Sequence, residues 1–230
     1  VHPESLSKEL EYIKKSGFNS SLVKISPRAH IVTEEHIFED KKKLAKKLGT
    51  TSKGIAPCYS SKMARTGLLA KDIYSEDMLW NERLYGDVLC EGAQGFYLDV
   101  DWGNYPYVTS STTLPYGACS LGFPPQKIRD IYGICKIYDT RSGVDPLFPD
   151  TLFSDPELSM LGELGQEYGV TTGRRRHVNW LALDLLVKAI NISGSNILII
   201  NKCDIIKSLG VYRLFYKNNL LSFDNWNEMR

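Results

Sequence analysis

Apolar positions along the chain fall into two periods, separated by polar stretches. Leu6, Leu10 and Ile13 lie at helical spacing behind Pro3 and Ser5, with Gly17 as a stop, and predict a first helix. Residues 21–25 and 30–33 predict short strands. Over residues 34–48, Ile37, Leu44 and Leu48 mark one apolar helical face, and the lysine cluster at 41–47 reads as its solvated side. Residues 49–69 are rich in Gly, Thr, Ser and Pro, carry no apolar period and predict a long loop. Residues 87–91 read as a buried strand running into Gly92-Ala-Gln-Gly95, the way α/β proteins place a polar side chain at a strand's carboxyl end. Residues 131–138 are β-rich, 180–191 predict an apolar helix, 196–200 a fully apolar strand of the parallel type, and 211–216 with Asn218-Asn219 the opening of a β-hairpin. Strands alternating with helices predict an α/β fold with a mostly parallel central sheet flanked by helices.

Composition narrows the function classes. A length of 230 residues, 43% hydrophobic and 24% charged, suits one large domain or two small ones. The 28 basic and 27 acidic residues leave a net charge of +1, so no global field draws the chain to nucleic acid or an anionic membrane, and any basic site must be local. Five cysteines stand without a CxxC pair or a histidine at ligand spacing, which argues against a zinc site or a disulfide framework and for reduced thiols. No apolar run approaches the roughly 20 residues of a membrane helix, and no signal segment opens the chain. A soluble, cytoplasmic protein is expected, without a nucleic-acid or membrane partner. The ends at Val1 and Arg230 predict a segment truncated on both sides.

The candidate chemistry begins with Arg174, Arg175 and Arg176 inside Gly169-Val-Thr-Thr-Gly-Arg-Arg-Arg176. Guanidinium forks pair with carboxylate or phosphate oxygens, threonine hydroxyls add bonds to the same oxygens, and glycine lets backbone approach closely. A lone arginine triplet is more often a solvated turn, but it does not stand alone. Asn201-Lys-Cys-Asp204 follows the apolar strand and resembles the guanine-reading element of GTP-binding proteins: a carboxylate there accepts from N1–H and the 2-amino group, donors that adenine lacks. Taken by itself it could equally cap a strand end. Gly49-Thr-Thr-Ser-Lys-Gly54 offers hydroxyls and open amides for a phosphate, and no GxxxxGK[ST] occurs in the chain.

In order, Gly49-Thr-Thr-Ser-Lys-Gly-Ile-Ala-Pro57, Lys62-Met-Ala-Arg-Thr-Gly67, Glu91-Gly-Ala-Gln-Gly95, Tyr105-Pro-Tyr-Val-Thr-Ser-Ser111, Thr140-Arg-Ser-Gly143, the arginine loop and Asn-Lys-Cys-Asp resemble adenylosuccinate synthetases over nearly the whole chain. The resemblance implies a P-loop-NTPase-like synthetase fold, with 1–230 as a single incomplete domain of it, and a C–N ligase of purine biosynthesis. Such enzymes phosphorylate the 6-oxygen of IMP with GTP and let the amine of L-aspartate displace the phosphate, giving adenylosuccinate. It implies that Thr51, Thr109 and Arg65, the last from across a homodimer interface, hold the monophosphate. Gln94 would be catalytic at the purine 6-position. Thr171, Thr172, Arg174 and Arg176 would hold aspartate, with Arg174 also near the ribose, while Arg176, Lys202 and Asp204 would serve GTP, and Arg175 would point away. Magnesium is implied as cofactor, its ligands expected in a glycine-rich N-terminal region absent here, as is a C-terminal base-binding segment; the fragment alone is expected to be inactive.

Two departures matter. Lys53 stands where the family has an arginine, and lysine gives no bidentate fork; the connection between Asp72 and Asp87 is also short. They keep open a phage-type branch that joins aspartate to dGMP. A guanine-nucleotide-binding module without ligase activity is the weaker reading, since it leaves the arginine loop and Gln94 unexplained. An RNA-binding module, lacking interleaved aromatics, is weaker still. His30, His36 and His177 read as surface or satisfied histidines, and Trp102, Trp180 and Trp226 as packing residues.

Overall fold

The computed structural model describes residues 1–143, 145, 146, 148, 155–170 and 173–230, with the backbone alone for Lys46. These divide into two compact units: residues 1–93, 109–112 and 117–122 form one, and residues 94–108, 113–116 and 123–230 the other.

In the first unit, helix α1 (Pro3–Lys15) starts behind His2 with Pro3 where a missing N–H costs nothing, and Gly17 follows its end at φ +85°. Ser5 lies inside the helix, where its hydroxyl meets His2 Nδ1 at 2.9 Å. Helix α2 (Glu34–Glu39) opens with a reciprocal cap: Thr33 Oγ1 accepts from His36 N, and His36 Nδ1 accepts from Thr33 N. A π-turn (Asp40–Leu44) carries it into α3 (Ala45–Leu48), which Gly49 ends at φ +65°.

Three expectations are corrected in this unit. Residues 21–25 and 30–33 are not strands: Ser20–Leu22 is a 3-10 turn capped by Asn19, and Ile25 and His30 make single bridges to Leu79 and Leu69. Their partners sit beside tight 3-10 turns at Glu76–Met78 and Ala70–Asp72, so no ladder propagates. The predicted loop over 49–69 contains helix α4 (Ile55–Ala64). Pro57 is tolerated there because its first-turn position has no intrahelical N–H bond to lose. The helix buries only Pro57 and Cys58, so no apolar period announces it. Residues 87–91 form no strand; Leu89 is 88% exposed. The unit's small core is Ile25, Ile31, Ala70 and Leu79.

The second unit is α/β as expected. Its strands and helices follow in the order β1 (Tyr132–Lys136), β2 (Tyr138–Arg141), α5 (Pro156–Leu164), β3 (His177–Trp180), α6 (Leu183–Ser193), β4 (Ile197–Asn201), α7 (Cys203–Leu209), β5 (Tyr212–Tyr216), β6 (Asn219–Phe223) and α8 (Trp226–Met229). The parallel sheet is the β1–β4 pair, in register from Tyr132–Ile197 to Lys136–Asn201. The β2–β3 and β5–β6 pairs are antiparallel. The single β-run expected over 131–138 therefore splits at Ile137, a buried residue whose N–H reaches Asn201 O, and its two halves join different partners. Trp180 ends β3 opposite Tyr138, which delays α6 to Leu183.

Tyr138, Leu158, Leu161, Val178, Trp180, Leu181 and Ile206 head the core of this unit. Each such aliphatic side chain contributes about 1.5–3 kcal/mol by leaving water. Trp226 packs at the edge of this core, whereas Trp102, expected to pack, is 49% exposed.

Candidate functional site

The site grows from the turn after α5. Asp155 caps that helix by accepting from the N–H groups of Glu157 and Leu158, and Gly165 N closes it on Leu161 O at 2.9 Å. Gly165 is required: a Cβ there would run into the Tyr138 hydroxyl and stand 3.1 Å from Leu161 O. Glu167 N then donates to Gly162 O, and the carboxylate of Glu167 is delivered into the interior, 1% exposed.

Three donors converge on it. Tyr138 Oη donates to Oε1 at 2.7 Å, while Lys136 Nζ and Arg176 Nη1 share Oε2 at 2.7 and 2.9 Å. Arg176 N also donates to Glu167 O at 2.9 Å, which ties the start of β3 to the same turn. Burial works to raise the Glu167 pKa, but the bonds from Lys136, Tyr138 and Arg176 outweigh it and hold the carboxyl below its usual range. Burial likewise pushes the Tyr138 phenol up, helped by the Glu167 charge.

Side chains alternate across β2. Tyr138 and Thr140 take one face, where Lys136 Nζ also reaches Thr140 Oγ1 at 3.0 Å. Asp139 and Arg141 take the other. Arg141 is buried, pairs through Nε with Asp145 Oδ2 at 3.3 Å and donates from Nη2 to Tyr107 O; Asn104 adds a bond to the same Asp145 oxygen. Asp139 accepts from Ala182 N at 3.0 Å, and burial pushes its pKa up to about 6. A cavity of about 1110 Å³ is walled by Gln94, Lys136, Asp139, Thr140, Arg141 and Arg176 among others.

Because its folded pKa is raised, Asp139 favours folding below its unfolded value near 3.8 and loses that contribution as pH rises through about 6. Asp139→Asn is therefore expected to unfold at higher temperature than the parent above pH 6, with the gap closing on acidification toward pH 4. Parallel melting curves across that range that never diverge would refute it.

Of the sequence-predicted residues in this unit, Gln94 and Arg176 share the cavity wall; Gln94 is exposed, at φ +62°. Lys202, at φ +61° ahead of α7, extends Nζ to Gly165 O at 3.1 Å, so Lys202 and Arg176 meet at one turn. Asp204 is exposed in the first turn of α7, and Arg174 is exposed with its carbonyl accepting from Gly169 N. Arg175 turns onto α5, donating to Ser159 O and Oγ and pairing with Glu163 at 3.2 Å. Thr171 and Thr172 lie outside the described residues.

In the other unit, the 50–54 turn closes on the buried carboxylate of Asp40, which accepts from Thr50 Oγ1 at 2.6 Å and Gly54 N at 2.9 Å. Thr51 is left exposed at that turn, Arg65 is exposed at φ +64° at the end of α4, and Thr109 is half-buried. His36 is satisfied by Thr33 and by Ser61 Oγ at 3.0 Å.

Sequence reasoning missed Glu167, Lys136, Tyr138 and Asp40. A lysine inside the apolar run 131–138 was a legible hint; Glu167 had none, since its partners come from three separate segments.

The adenylosuccinate synthetase family model matches residues 1–86 and 79–215. The adenylosuccinate synthetases of Lysinibacillus sphaericus (strain C3-41) and Streptococcus sanguinis (strain SK36) are each 34% identical over 271 residues, covering 93% of this chain. The chain spans 63% of the length of these curated relatives. Among solved structures, the fully ligated adenylosuccinate synthetase from Plasmodium falciparum superposes with a TM-score of 0.77 at 25% identity, over 96% of this chain and 66% of that one. The cyanophage S-2L succinoaminodeoxyadenylate synthetase, bound to dGMP and dATP as an energy donor, superposes with a TM-score of 0.57 at 19% identity, over 84% of this chain and 67% of that one, a likeness of fold.

Proposed function

We propose, since the chain belongs to the adenylosuccinate synthetase family, that it contributes nucleotide-, aspartate- and GTP-binding residues to a ligase joining L-aspartate to the 6-position of IMP. The observation that supports this best is the convergence of Arg176 and Lys202 on the turn 165–167, with Arg176 and Gln94 walling one cavity.

In this reading GTP passes its terminal phosphoryl group to the 6-oxygen of IMP, and the aspartate amine then displaces phosphate, releasing GDP, phosphate and adenylosuccinate. Arg174 and Arg176, with Thr171 and Thr172, hold the dicarboxylate. A charged fork on a carboxylate is directional as well as strong, so it orients the amine. Gln94 addresses the purine 6-position, Lys202 and Asp204 read guanine, and Thr51, Thr109 and Arg65 hold the monophosphate, Arg65 reaching into a second subunit of a homodimer.

Magnesium favours several carboxylate, phosphate and water oxygens in an octahedron. The described residues around the cavity do not fit it: Glu167 is taken by two cations and a phenol, Asp145 by Arg141 and Asn104, Asp139 by the N–H of Ala182 and Asp184 by the N–H of Lys217. The grouped side chains His2, Glu4 and Glu34 are engaged together, His2 Nε2 lying 3.0 Å from Glu34 Oε1.

In a complete enzyme that includes this chain, L-aspartate, IMP and GTP should yield adenylosuccinate and GDP in equal amounts, and GTP consumption that does not depend on aspartate would defeat the reading. Asp204→Ala should weaken GTP about 10-fold or more, as loss of hydrogen bonds to a charged acceptor does, without changing the aspartate KM. The substitution at Lys53 and the short 72–87 connection support a second reading in which dGMP replaces IMP; preference for dGMP in the same assay selects it.

A further inference from the structure

We propose that Lys136 is a further anion-binding residue of this cavity, set beside Arg176 on the shared carboxylate of Glu167 and donating to an oxyanion of the ligand; the proposal rests on reading the cavity as the aspartate and GTP pocket.

A lysine ammonium has three donors. Two are accounted for, on Glu167 Oε2 at 2.7 Å and Thr140 Oγ1 at 3.0 Å. The third is left for the cavity whose wall Lys136 shares with Arg176. Arg176 spends Nη1 on the same Oε2, and its planar fork offers further donors. One carboxylate between two cations leaves this trio at a net positive charge, and Lys202 adds another from Gly165 O. Tyr138 on Oε1 keeps the Glu167 carboxylate from turning, so both cationic heads are presented in fixed directions. A half-buried surplus of positive charge beside a cavity is matched by a ligand bearing carboxylate or phosphate oxygens, as a dicarboxylic amino acid or a nucleoside triphosphate does.

The surroundings of Lys136 also fix its pH response. Strand β2 presents Tyr138 and Thr140, the turn after α5 presents Glu167, the start of β3 presents Arg176 and the start of α7 presents Lys202. Burial lowers the Lys136 pKa most, the charges of Arg176 and Lys202 lower it further, and Glu167 opposes them; the net direction is down from 10.5. Only the protonated amine binds an anion strongly, so affinity should fall with rising pH before the ordinary lysine range is reached.

The test is isothermal titration of the full 230-residue chain with L-aspartate, GTP and inorganic phosphate, each alone, between about pH 7 and 10. The parent is compared with Lys136→Met, Lys136→Arg and Arg176→Met. Lys136→Met is expected to weaken at least one of the three at least about tenfold at neutral pH, the scale of a lost charge-assisted bond. Lys136→Arg should retain binding within about threefold and abolish the alkaline decline, because guanidinium stays charged. A lysine that only props up the fold would shift the melting temperature and leave that decline in place, which overturns the proposal. If Arg176→Met weakens binding and Lys136→Met does not, Lys136 is excluded and the pocket reading stands. If phosphate binds through Lys136 but neither aspartate nor GTP binds, Lys136 stands and the pocket reading falls. Absence of binding by all three anions to the parent overturns both.

Discussion

Replacing Glu167 with alanine is expected to destabilise the protein by about 3 kcal/mol, near the lower end of what removing one partner of a buried ion pair costs. Lys136 and Arg176 keep 21% and 28% of their side chains in water, so neither is stranded completely; Tyr138, 1% exposed, loses its acceptor outright. Glu167→Gln should cost less, since an amide oxygen still accepts from Tyr138 or Lys136. The effect carries a pH signature. With its folded pKa depressed, Glu167 contributes its full stabilisation above the ordinary value of 4.5 and loses it as pH falls through the lower folded value. The stability gap between parent and Glu167→Ala in denaturant titrations should be widest near neutrality and narrow below pH 4.5. A gap that is constant with pH would mean that packing alone, and not the charge, holds this turn.

Trp180→Ala is expected to cost about 3–5 kcal/mol, the range for removing a large aromatic from a closed core. Trp180 is 2% exposed, faces Tyr138 across β2–β3 and lies 5.7 Å from the Arg213 guanidinium. Its loss leaves a cavity that α5, α7 and β5, each contributing to the same core, are too closely packed to fill. Trp180→Phe should retain more than half of the difference. Because β3 begins at His177, one residue after Arg176, the alanine variant should also loosen Arg176 from Glu167. The measurement is the urea midpoint together with the slope of the transition; an unchanged midpoint for Trp180→Ala would place this residue outside the core.

Legibility in the sequence followed the range of the interactions. Helix α1 was readable because its pattern, Pro3 and Gly17 are all local. Strand β4 and the β5–β6 hairpin were readable for the same reason. The short strands expected over 21–25, 30–33 and 87–91 carried acceptable residues, but a strand exists only where a partner lies alongside, and two of these obtained single bridges and the third no ladder. Helix α4 was hidden by the reverse effect, a sequence without period whose first turn accommodates Pro57. Arg176 and Lys202 were singled out as candidates through motifs, which encode side-chain type at fixed spacing. Glu167, Lys136 and Tyr138 were not, because no motif joins a turn after one helix to two neighbouring strands.

By itself, the sequence determined the family, the α/β class and the residue types that call for carboxylate, phosphate and guanine ligands. Only the tertiary structure decided that Arg176 and Lys202 come to one turn, that Arg175 leaves that turn for α5, and that a buried Glu167 holds two cations and a phenol in place. The reason is physical. Composition and spacing are properties of a strand of chain, whereas a desolvated carboxylate depends on donors 9 to 31 residues away, and their arrival depends on the packing that closes around them.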